Sequence, residues 1–61
     1  MRTICKINGN RLYIDEKFGD RIKVVTSNYN AYRELNMGFM SNDDGWYEKW
    51  IDISDIDSIV C

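Results

Sequence analysis

The sequence predicts an all-β fold, a small, strongly bent barrel of five to six short antiparallel strands. Three observations predict it. Apolar residues recur at every second position in several short runs, turn-forming tracts such as Asn8-Gly9 and Asn42-Asp43-Asp44-Gly45 separate those runs, and the chain contains no proline, repeat or low-complexity tract. With 61 residues it is read as a single domain over 1–61. A chain that short buries only about 60% of the surface its unfolded form exposes, so its core is thin and depends on large side chains. The eight aromatic residues, Tyr13, Phe18, Tyr29, Tyr32, Phe39, Trp46, Tyr47 and Trp50, supply them.

The first strand is expected over 2–7, where Thr3, Cys5 and Ile7 point one way and Arg2, Ile4 and Lys6 the other. Asn8-Gly9 tolerates the positive φ of a tight hairpin, and Leu12 and Ile14 resume the alternation in a second strand over 11–15. The "EKFGD" segment reads as a loop with Gly19 as its permissive position, and "RIKVVTS" reads as a third, β-branched strand over 21–27. The two asparagines of "NYNAY" suggest a further loop. Residues 31–37 combine good helix formers with a following Gly38, yet Leu35, Met37 and Phe39 also alternate as in a strand. The strand, over 33–41, is preferred because hairpin chemistry follows it. A fifth strand is expected over 46–53. Beyond it Ile53, Ile56 and Ile59 recur at every third position, as in a 3₁₀ turn over 54–57 that Ser54 and Asp57 would cap, before a closing strand over 58–61.

Composition narrows the function classes. Apolar content of 44% with 30% charge suits a folded domain and is too apolar for a disordered one. Apolar residues come in groups of one to three, which leaves neither a membrane-spanning run nor a signal-peptide core, so a cytoplasmic protein is expected. The chain has no histidine and two cysteines, Cys5 and Cys61, which removes the usual zinc sets and the commonest general base. No nucleophile, base and orienting group stand at a usable spacing, so no enzyme, metal or cofactor is expected. The net charge of -2 is uneven: residues 1–40 carry seven Lys/Arg and four Asp/Glu, and residues 41–61 carry one Lys and six Asp/Glu.

"FGDRIKVV" resembles the segment of Src-homology-3 (SH3) domains in which Gly-Asp precedes the second strand. "NDDGW" resembles the acidic turn and Trp that follow it, and "ISDIDSIV" resembles their closing 3₁₀ turn and last strand. The resemblance covers most of residues 18–61 and implies an SH3-like barrel. Of that family's peptide groove only Trp46 carries over: the first strand here is "RTICKIN", and Ile53 and Ile56 stand near where a Pro and a Tyr belong. The implication is therefore for architecture rather than for proline-rich ligands. A shorter likeness, "W-I-x-x-x-D-I-x-x-I", is to the ending of YolD-like bacterial and phage proteins. In SH3-like barrels the first and last strands are often neighbours, which would bring Cys5 towards Cys61. A cytosolic setting keeps them as two free thiols.

The expected function is that of a small non-enzymatic interaction module of a bacterium, phage or other mobile element. It would bind another macromolecule, as an inhibitor or modulator of a host protein. If Tyr47, Ile51 and Ile53 fill the core, Trp46 and Trp50 face outward together beside Glu48 and Asp52, and these residues with Tyr47 form the candidate partner-binding set. The opposite assignment stays open, with both tryptophans inside and Tyr47, Lys49 and Ile51 outside. The alternative function is single-stranded nucleic-acid binding through Arg2, Lys6, Arg11, Arg21 and Lys23 with Tyr13, against which stand a sequence pI of 4.8 and the interrupting Asp15, Glu16 and Asp20. A third version makes Asp43, Asp44, Glu48, Asp52, Asp55 and Asp57 a mimic of phosphates, although turn and capping roles account for most of them. A free strand edge would allow a weak homodimer in place of a monomer.

Overall fold

A computed structural model describes residues 3–40 and 45–60. It contains six strands, β1 (Thr3–Ile7), β2 (Asn10–Phe18), β3 (Arg21–Thr26), β4 (Gly38–Phe39), β5 (Tyr47–Asp52) and β6 (Ser58–Val60). All belong to one antiparallel sheet in the order β4-β5-β3-β2-β1-β6. A short helix, α1 (Tyr29–Glu34), and a 3₁₀ turn (Ile53–Asp55) connect strands without altering the all-β class that the alternation predicts. The last strand lies against the first, with Cys5 opposite Ile59. Among the described residues no helix is long and apolar enough to cross a membrane.

The first hairpin forms as its turn chemistry requires, since Asn8 and Gly9 adopt φ of 52° and 82°. β2 then runs on to Phe18 instead of ending near residue 15, and "EKF" is strand rather than loop. Gly19, at φ 62°, still makes the turn into β3. A bulge between Ile14 and Glu16 carries β2 past Asp15.

The expected strand over 33–41 is a correction: only Gly38–Phe39 pair, against Glu48 and Tyr47, and residues 33 and 34 belong to α1. "NYNAY", expected as a loop, begins that helix. Asn28 is the reason, because its side chain caps α1 by accepting the Asn30 N–H at 2.8 Å and the Ala31 N–H at 3.4 Å. Asn36, at φ 55°, turns the chain out of the helix, a job the sequence suggested for Gly38. The Lys49 ammonium donates to the Leu35 carbonyl at 2.7 Å and so satisfies one of the acceptors left free at the helix end.

β5 ends one residue early, and Ile53, expected in the core, is 38% exposed at the start of the 3₁₀ turn. The Ser54/Asp57 cap does not form. Asp52 occupies the cap position without a side-chain bond, and the Asp57 carboxylate accepts the Asn8 N–H at 2.8 Å across the sheet. Together with the Asp57 N–H donating to the Lys6 carbonyl at 2.8 Å, this ties the 3₁₀ turn to the first hairpin.

The core lies on one face. Cys5, Ile7, Leu12, Ile22, Val24, Met37 and Ile51 form a single buried cluster, with Ile14, Tyr32, Leu35, Tyr47 and Ile56 packed against it. Strands β1 and β5 are separated by β2 and β3 in the sheet yet contribute to the same cluster, so the sheet curls around it. The segment after β3 covers this face with Tyr32, Leu35 and Met37. Each fully buried Leu, Ile or Val contributes about 1.5–3 kcal/mol. Cys5 is fully buried and a free thiol, and desolvation raises its pKa above the ordinary cysteine value. The expectation for Cys61 lies outside the described residues.

Candidate functional site

The outer face of the sheet, opposite the core, is set by the ladder pairs. Ile22, Val24 and Ile51 point inward, which sends their neighbours Arg21, Lys23, Trp50 and Asp52 outward. On β2, Leu12 and Ile14 point inward, and strict alternation would carry Phe18 inward as well. The bulge at Asp15 changes the count by one. Beyond it Glu16 pairs with Lys23 and Phe18 with Arg21, so Phe18 emerges on the outer face, 80% exposed.

Two outward rows result, Glu16–Lys23–Trp50 and Phe18–Arg21–Asp52. Phe18 and Trp50 line one open hollow of about 540 Å³ together with Glu16, Lys17 and Arg21. Trp50 is 41% exposed. An exposed Phe and Trp flanking a guanidinium form an apolar surface with polar handles, the composition of contact sites that bind by burying aromatic area.

The bulge also places Asp15 and Glu16 on the same cation. The Lys23 ammonium lies 3.1 Å from Glu16, 3.4 Å from Asp15 and 3.8 Å from Glu48. The hydrogen bond that Lys23 donates to Glu16 foremost, with that to Asp15 and the nearby Glu16 and Glu48 charges, holds the Lys23 pKa above the ordinary lysine value. Lys17 and Arg21 make no ion pair with other described residues. The cation available to a partner at this end of the outer face is thus Arg21, because Lys17 pairs with the inward-pointing Ile22 and Lys23 is engaged. Among the described residues no three His, Cys, Asp or Glu side chains are placed to hold a metal ion.

The expected partner-binding set divides. Trp50, Glu48 and Asp52 share the outer face. Tyr47 turns to the inner side, stacked on Tyr32 with ring centroids 4.2 Å apart. Trp46, just before β5, is half-buried and packs on Tyr13 at 6.3 Å, beside Val25, which pairs with Tyr13 and is buried on the outer side of β3. The two tryptophans therefore do not act as a matched pair: one covers the outer side of the sheet and the other stands open.

The basic set divides too. Lys6 and Arg11 face each other across β1 and β2, Tyr13 lies on Trp46, Lys23 is held by three carboxylates, and Arg21 stands at the far end beside Phe18. Arg2, and Asp43 and Asp44 of the acidic series, lie outside the described residues. Phe18 falls outside the expected set because the bulge breaks the alternation on which that expectation rests. The one available signal was Asp15-Glu16-Lys17, three consecutive charged residues where a regular strand would have carried an apolar residue at position 16. Compared with known proteins, the chain matches no family model, and no curated protein or solved structure matches it significantly.

Proposed function

We propose that this protein is a non-enzymatic interaction module that docks a protein partner on the Phe18–Trp50 hollow of its outer face. The observation that carries the reading is the exposure of these two large aromatics at the same hollow, in a chain with few large apolar residues to spare for its core. An SH3-like architecture is part of the proposal. It is supported by the last strand lying beside the first and by the 3₁₀ turn before it, with the helix and β4 as an insertion between the third and fifth strands. By the same reading the protein is cytoplasmic, encoded by a bacterium or mobile element, and modulates a host protein.

The engagement of Lys23 by three carboxylates favours a protein over a nucleic acid, because it removes a central cation from the basic set and leaves negative charge in its place. The test is capture from host lysate by the full chain and by the variant Phe18→Ser/Trp50→Ala, at two salt concentrations and after nuclease treatment. A protein retained by the parent chain after nuclease and lost from the variant is the expected result. Capture that the double substitution leaves unchanged would overturn the reading. Retention that vanishes with nuclease and falls steeply with salt would replace it with nucleic-acid binding.

A further inference from the structure

On the inner side of β5 the row Tyr47, Lys49, Ile51 contains one charged residue. Lys49 puts an ammonium at the margin of the core. Of its three donors, one is used on the Leu35 carbonyl, and no described residue accepts the other two. Across a partly enclosed hollow of about 270 Å³ stands Asp55 of the 3₁₀ turn, whose carboxylate makes no hydrogen bond or ion pair with the described residues. Ile7, Leu35 and Ile51 line the same hollow, and Asn8 completes its rim.

Two opposite charges thus face one small space, walled by polar and apolar surface alike, without meeting: the ion pairs among the described residues all involve Lys23. An unpaired ammonium and an unpaired carboxylate on one hollow attract a ligand that carries both complements. The hollow lies just below the range of about 300–1,000 Å³ usual for drug-sized ligands, so it suits a smaller molecule.

We propose that this hollow binds a free α-amino acid with a short aliphatic side chain. The carboxylate takes the two remaining Lys49 donors, the ammonium meets Asp55, and the side chain lies on Ile7, Leu35 and Ile51. The site is on the opposite side of β5 from Trp50, so it stands or falls independently of docking on the outer face.

The experiment is a titration of the ¹⁵N-labelled full chain, followed by amide chemical shifts, with L-valine, N-acetyl-L-valine and L-valinamide. Saturable shifts at Asn8, Leu35, Lys49 and Asp55 are expected with valine. Loss of either charge in the analogues, or of its partner in Lys49→Met or Asp55→Asn, should weaken binding roughly tenfold or more, the cost of one charge-assisted hydrogen bond. Asp55 is exposed, so its substitution keeps the test decisive even if Lys49→Met disturbs the end of α1. No saturable shift with valine, or equal responses to all three compounds, would overturn the proposal.

Discussion

The two faces of the sheet divide its residues by different rules. The inner face follows simple alternation: Cys5, Ile7, Leu12, Ile22, Val24 and Ile51 all sit where a period of two places them, and they merge into one cluster. On the outer face an irregularity decides the outcome. One extra residue at Asp15 gathers two carboxylates on Lys23 and brings Phe18 out beside Arg21. The difference teaches that burial enforces register, whereas a solvent-facing surface is free to be shaped by a bulge.

Substitutions that break this contrast should have graded effects. Leu12→Ala on the inner face is the most damaging, because Leu12 is 1% exposed and such truncations cost about 2–5 kcal/mol. A core this small rarely supplies more than about 3–5 kcal/mol in all, so urea unfolding followed by circular dichroism should find the variant largely unfolded in buffer. Asn28→Ala removes the cap of the helix that covers the core and should cost about 1 kcal/mol in the same assay, since it deletes an acceptor for two backbone N–H groups. Phe18→Ser should shift stability by no more than about 0.5 kcal/mol, as expected for an exposed side chain, while abolishing partner capture.

The Lys23 cluster sharpens the comparison through pH. Its pKa is raised in the folded state, so the stabilisation is complete below the unfolded lysine value of about 10.4 and is lost as the pH climbs through the higher folded value. Parent protein should therefore lose stability in that alkaline window, and Lys23→Met should lack this component when melting temperatures are compared across the pH range. Cys5 offers a matching check from the inner face. Its buried thiol should resist alkylation in native buffer and react readily in denaturant, as read by mass spectrometry.

The legible part of the fold was the part governed by local chemistry. Asn8-Gly9 and Gly19 made their turns, the β-branched run made β3, and the period of three before the end marked the 3₁₀ turn. The segment after β3 was misread because the asparagines act as caps. Asn28 starts a helix and Asn36 stops it, whereas the sequence alone places Asn28 in a loop and runs a strand through Asn36. The candidate site was half legible. Trp50, Glu48 and Asp52 followed from placing Ile51 inside, but Tyr47 sat on the same side as Ile51 and Trp46 was committed to Tyr13. Phe18 depended on the bulge, whose effect is a change of parity that no single residue announces.

The central claim is that Phe18 and Trp50 stand together in solvent while Tyr47, on the same strand as Trp50, does not. Relaxation of side-chain protons by a soluble paramagnetic agent measures this directly. Strong enhancement at the Phe18 and Trp50 rings, with Tyr47 and Leu12 protected, is the predicted result. A Phe18 ring as protected as Leu12 would mean that β2 keeps its alternation through Asp15, and the outer-face site would not exist.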